Sequence, residues 1–97
     1  MRSLTKISLS LVIAVAAQPV LAADVTGLSS RCVSCHGATG ISSNPLYPNL
    51  AGQKAAYLLK QMRDFQKGDR KDPVMNAMVQ GLSEQDMDAL AEFYSKK

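Results

Sequence analysis

One histidine, His36, and two cysteines, Cys32 and Cys35, are all the imidazole and thiol the 97-residue chain contains. A structural zinc site takes four ligands, commonly Cys or His, so these three cannot complete one. Period-two alternation of apolar and polar residues is missing, and so are internal repeats and low-complexity tracts. Nothing therefore supports a sheet core, a solenoid or the β-α-β setting of a thioredoxin-like dithiol. A long apolar run is missing too. The stretch from Ile7 to Ala17 falls well short of the roughly 20 residues that span a bilayer, and Gln18 and Pro19 interrupt it. Finally, the carboxylates are scattered on the faces of expected helices, where they read as solvated surface and argue against a catalytic role.

Arg2 and Lys6, the apolar run, and the small residues ending at Ala22 and Ala23 have the layout of a secretory signal peptide. Residues 1–22 are expected to be a leader cut after Ala22 or Ala23, leaving 23–97 as one domain without stable membrane insertion. A retained anchor is the rival reading. The whole chain carries 11 basic and 8 acidic residues; without Arg2 and Lys6 the balance is nine against eight, or +1. The apparent basicity is mostly a targeting feature, so nucleic-acid binding is not indicated. Export implies an oxidising compartment such as the periplasm.

A mature chain this short has a marginal core and usually recruits a staple. Its pattern is helical throughout. A short first helix is expected across Asp24–Cys35. An irregular loop follows, Gly37–Gly52, with three glycines, two prolines and two asparagines. Gln53–Lys67 places Ala55, Leu58, Leu59, Met62 and Phe65 on one face and stops at Gly68. Pro73 opens a stretch, Val74–Leu82, of at most one or two helical turns. Ser83 and Asp86 have capping-box spacing, and the helix they start should run to about Ser95 with a stripe of Met87, Leu90, Ala91 and Tyr94.

The chemistry sits in Cys32-Val33-Ser34-Cys35-His36. Two thiols three residues apart on a helical turn reach the two vinyl groups of one haem, and the next residue turns its imidazole to the iron, the spacing of covalent c-type attachment. The cofactor would then be a permanent part of the core, and would give the long loop something to pack on. A structural or redox-active disulfide is the competing reading in an oxidising compartment.

With no second histidine, methionine is the natural sixth ligand. Met1 leaves with the leader, and Met62 and Met87 lie on apolar stripes. Met75 and Met78, beside Pro73, remain; Met75 is preferred and Met78 is the alternative.

These residues resemble the class I c-type cytochromes, in particular the small bacterial ones and the halves of dihaem periplasmic cytochromes. The resemblance covers essentially the whole mature chain. It rests on Cys32-Val33-Ser34-Cys35-His36-Gly37, Tyr47-Pro48-Asn49-Leu50-Ala51-Gly52-Gln53, Tyr57-Leu58-Leu59-Lys60-Gln61-Met62, Met75-Asn76-Ala77-Met78, and Leu82-Ser83 with the acidic helix after it. It implies an all-α cytochrome c fold, three to four helices around one covalently bound haem c with its iron. Cys32 and Cys35 match the thioether cysteines, His36 the proximal ligand and Met75 the distal one. Pro48 matches the proline whose carbonyl accepts from the histidine ring, and Leu50 a haem-packing leucine. The first helix is short for the family, so Gly27 with Leu28 is expected to make the crossing with the last helix near Leu90 and Tyr94.

What this implies is one-electron transfer rather than enzymatic turnover. The carrier would be a monomer that meets redox-protein donors and acceptors through a small transient interface, formed by the Cys35 region, Ser42–Leu46 and Met75–Val79. A gas-binding or sensing haem protein and a haem subunit of a larger oxidoreductase are the rival functions.

Overall fold

Helix-forming residues, interrupted by glycine and proline at the expected places, give four helices: α1 Val25–His36, α2 Ala55–Lys67, α3 Pro73–Met78 and α4 Glu84–Ser95. The computed structural model describes residues 2–15 and 24–97, and among them there is no strand. The expected cleavage site, after Ala22 or Ala23, lies outside the described residues. Residues 2–15 are exposed and carry no secondary structure, and no described helix is long and apolar enough to cross a membrane.

Each helix end has an identifiable cause. At α1 the Asp24 carboxylate accepts from the Gly27 amide, and Gly37 at φ +85° ends the helix one residue later than the expected boundary. Helix α2 starts two residues later than its pattern suggests, behind Lys54, which supplies no side-chain cap. Gly68 in the left-handed conformation closes it. Pro73 occupies the first turn of α3, where its missing N–H costs nothing, and Asp72 accepts from the amides of Val74 and Met75 at 3.0 Å each. Both halves of the capping box form at α4: the Asp86 amide donates to Ser83 Oγ at 3.0 Å and the Ser83 amide to Asp86 Oδ2 at 2.9 Å.

The core lies between α2 and α4. Leu58 and Phe65 from one helix meet Met87, Leu90, Ala91 and Tyr94 from the other, with Val79 and Leu82 closing the end. Met87 and Leu90 are only 1 % exposed, and burial of such side chains stabilises by about 1.5–3 kcal/mol each. Helix α1 leans on α4, with Leu28 and Cys32 packed against this core. Gly27 does not make that crossing. It is exposed, and a side chain there would meet only the carboxylate of Asp24.

Helix α3 buries no residue fully. Side-chain amides hold it and the turn after it. Asn76 Nδ2 donates to the carbonyls of Phe65 at 2.8 Å and Arg70 at 2.9 Å, while Gln66 Nε2 donates to those of Val79 at 3.0 Å and Leu82 at 2.8 Å.

The loop between α1 and α2 is irregular, as its composition suggests, but closely tied. The Leu50 and Ala51 amides both donate to the Gly40 carbonyl, and the Gly52 amide donates to that of Tyr94 at 3.1 Å. Gly40 has φ +78°, and a Cβ there would lie 2.9 Å from both the Ala51 amide and the Tyr94 ring. Only glycine fits that place.

Candidate functional site

The four helices and the loop surround a cavity of about 340 Å³. Every site residue expected from sequence lines it: Cys32, Cys35 and His36 from α1, Pro48 and Leu50 from the loop, Met75 and Met78 from α3. Leu58, Met62 and Phe65 of α2 and Leu90 and Tyr94 of α4 supply much of the apolar wall.

Cys32 and Cys35 stand three positions apart on one helical turn, so both thiols sit on the cavity side of α1, half-buried and unbonded to each other. Burial pushes the Cys32 thiol above its ordinary value, so it rests protonated. His36 is 6 % exposed. Its Nδ1 lies 2.8 Å from the Pro48 carbonyl oxygen. A carbonyl only accepts, so Nδ1 carries the proton and Nε2 keeps its lone pair. This bond fixes the tautomer and orientation of the ring, as in many metal-binding histidines.

Pro48 is held in place by the chain around it. Ser42 donates its amide to Asn49 Oδ1 at 2.8 Å and its hydroxyl to the Cys35 carbonyl at 3.0 Å, which ties the loop to the end of α1. A Cβ at Gly37 would collide with the Ile41 carbonyl oxygen at 2.0 Å. The glycine after His36 thus allows the chain to turn back and bring Pro48 beneath the imidazole.

Met75 and Met78, both half-buried on α3, line the same cavity. Met75 also packs on the core, and the Met78 carbonyl accepts from Arg31 Nη1 at 3.4 Å. Met62, assigned to packing by its stripe position, reaches the same cavity, whereas Met87 is sealed within the core and does not.

Two further groups line the cavity. Tyr94 reads as stripe packing, yet it lines the cavity and its buried hydroxyl neighbours the Cys32 thiol, without a hydrogen bond of good geometry among the described residues. Burial pushes this phenol up to about 12. Arg70, on the turn after α2, lines the cavity as well. Periodicity could have found neither, since the hydroxyl and the turn cation carry no helical signal.

The expected surface patch needs one correction. Leu46 is 83 % exposed at the mouth, with Tyr47, Tyr57 and Val74 also open to solvent, but Val79 is only 3 % exposed and belongs to the core.

The donor set suits a large planar iron cofactor. Two thiols stand on one helical turn, one oriented imidazole presents Nε2, thioethers line the same cavity, and the buried Tyr94 hydroxyl beside Cys32 lacks a hydrogen bond of good geometry.

The family model described as Cytochrome c matches residues 22–95. Cytochrome c-554(548) of Halomonas halodenitrificans is 42 % identical over 69 residues, covering 68 % of this chain and 83 % of that protein. Cytochrome c4 of Pseudomonas aeruginosa is 42 % identical over 66 residues, which are 68 % of this chain but only 33 % of the longer relative. Among solved structures, reduced recombinant cytochrome c4 from Pseudomonas stutzeri superposes with a TM-score of 0.62 at 29 % identity, over 72 % of this chain and 48 % of that one. Cytochrome c4 of Acidithiobacillus ferrooxidans, at 24 % identity and a TM-score of 0.66, shares the fold.

Proposed function

The chain belongs to the cytochrome c family, and from that premise we propose that it is a periplasmic shuttle whose iron is held by His36 and Met75. Cytochromes of this kind are electron carriers rather than enzymes, with redox proteins as partners, and the Cys-x-x-Cys-His motif implies one covalent haem c. The finer assignments are our reading. Cys32 and Cys35 bond the cofactor, Pro48 orients the proximal ring, Leu50 packs against the haem, and Met78 is the alternative to Met75. Residues 1–22 are a leader removed after Ala22 or Ala23, and residues 23–97 form a monomeric domain that meets its partners transiently.

The observation that carries this reading is the 2.8 Å bond from His36 Nδ1 to the Pro48 carbonyl. It leaves Nε2 as the metal-binding atom, in a cavity that the methionines also line. Bound haem supplies a one-electron couple at its iron. Everything else is done by the chain. Cys32 and Cys35 would fix the cofactor's position, and the helix-bound His36 and Met75 would supply the iron's protein ligands and leave small ligands no open site. The apolar walls from α2 and α4 exclude water, and a thioether ligand in a dry site favours a relatively high potential. Asp72 and Asn76 pin the first turn of α3, which supports Met75 over Met78.

The spectrum of the exported ferric protein tests the assignment. The weak far-red band of methionine-sulfur ligation should vanish in Met75→Ala and persist in Met78→Ala. The reverse result transfers the role to Met78, and a wild-type protein without the band refutes His/Met ligation.

A further inference from the structure

Helix α1 carries Cys32, Cys35 and His36, and helix α3 carries Met75 and Met78. The fold does not pack these two helices closely on each other: its main contacts join α1 to α4 and α3 to α2. The side-chain ties of α3 do not bridge that gap. Asn76 Nδ2 reaches the carbonyls of Phe65 and Arg70, Gln66 Nε2 those of Val79 and Leu82, and Gln80 Nε2 those of Gln66 and Asn76. All of these bonds stay within residues 65–82. They make one unit of α3 and the end of α2, and none fastens that unit to α1.

A single bond crosses. Arg31 Nη1 donates to the Met78 carbonyl at 3.4 Å, and among the described residues no other hydrogen bond joins α1 to α3. The acceptor is free for it. Met78 ends α3, where helical carbonyls lose their intrahelical donors, and the Val79 and Gln80 amides turn back to Met75 and Ala77. The donor is free as well, since Arg31 forms no ion pair among the described residues. Arg31 also lines the crevice and directly precedes Cys32. One end of the bond is therefore rooted beside a cysteine of the attachment motif, and the other end is the last residue of the methionine helix.

We propose that Arg31 is a positioning residue for the distal ligand: it straps α3 to the helix that holds the cofactor and keeps the sixth position of the iron closed. The proposal rests on the reading above, in which haem is bonded to Cys32 and Cys35 and a methionine of α3 completes the iron's ligands. A charged donor strengthens such a bond. Arg31 is nevertheless exposed and the bond is long, so it contributes little to folding as a whole. Its weight falls on a local opening, in which α3 lifts while α4 stays packed. One-electron transfer works best with the same ligands in both oxidation states, and an unstrapped methionine would leave an entry for small ligands.

The test compares haem-loaded wild type, Arg31→Gln and Lys71→Gln. Lys71 is an exposed cation close before α3 whose side chain makes no hydrogen bond or ion pair among the described residues. Imidazole, uncharged at mildly alkaline pH, is added below saturation to each ferric protein, and its displacement of methionine is followed by loss of the far-red band. Removing a hydrogen bond of ordinary net worth should raise the rate about threefold to tenfold in Arg31→Gln, with Lys71→Gln unchanged. Amide exchange should accelerate by a similar factor at residues 75–79 and stay unchanged in α4, while the denaturant midpoint moves little. Arg31→Leu, which keeps an apolar stem without donors, decides the matter if Arg31→Gln does not accumulate.

An unchanged imidazole rate in a protein whose wild type shows the band overturns the proposal. So does equal acceleration in Lys71→Gln, which would make the effect one of charge alone, or equal acceleration of exchange in α3 and α4, which would make Arg31 a general support. Slower reduction by an acidic redox protein with imidazole binding unchanged overturns it too, since Arg31 would then serve a partner. A wild-type protein that lacks the band, or has the mass of its polypeptide alone, refutes the underlying reading instead.

Discussion

Helices α3 and α4 begin in the same way and are held in opposite ways. Asp72 and Ser83 each satisfy amides of the following first turn. From there, α4 buries Met87, Leu90, Ala91 and Tyr94 against α2, while α3 buries nothing completely and presents Met75 and Met78 to the crevice. One helix is kept in place by apolar area, the other by amide donors from Asn76 and Gln66. The protein separates the element that makes it stable from the element that brings methionines to the crevice. Methionines on α3 therefore stay available for ligation, whereas Met87 on α4 is consumed by packing.

Removing the apolar anchor should break the contrast most severely. Leu90→Ala is expected to cost about 2–5 kcal/mol and to lower the stability of every helix together, because α4 touches both α1 and α2. Denaturant unfolding followed by far-ultraviolet circular dichroism and by haem absorbance should show one coincident shift; separated transitions would mean that α4 is not the common support. Asn76→Ala sharpens the contrast at lower cost, about 1–3 kcal/mol from two carbonyls that lose their donor. Amide exchange should accelerate in α3 and the 69–72 turn and stay slow in α4, and equal acceleration in both helices would abolish the distinction.

The smallest effect concerns neither helix. Hydrogen bonding and charge from exposed Lys60 hold the Asp64 carboxyl below the usual carboxylate range. A lowered folded value means that the contribution is complete above that range and is lost as pH falls through the folded value. Lys60→Ala should remove this small acid-dependent loss, and added salt should mimic the substitution. Thermal unfolding across the acid range checks it, and identical curves for the two proteins would count against the pair.

The same division explains what could be read from the sequence. The stripe of α4, the face of α2, the capping box and the Cys-x-x-Cys-His string are local patterns, and each is found where its spacing put it. Pro48 and Leu50 came from resemblance, and both line the cavity. What escaped depends on partners distant along the chain. Gly40 looks like any loop glycine until Tyr94 packs where its side chain would be, and Arg70 looks like a solubilising charge until Phe65 lies beneath it. Gly27 erred in the other direction, since a glycine near a helix crossing suggests close approach, yet this one faces Asp24 and solvent.

The bond from the Gly52 amide to the Tyr94 carbonyl has a consequence for the order of assembly. A chain still emerging from the ribosome has no residue 94 to fasten the segment that bears Pro48, so the backing of His36 is completed late in maturation. Any machinery that joins the porphyrin to the thiols before that moment works on an open polypeptide, and must itself steer the imidazole until the last helix arrives.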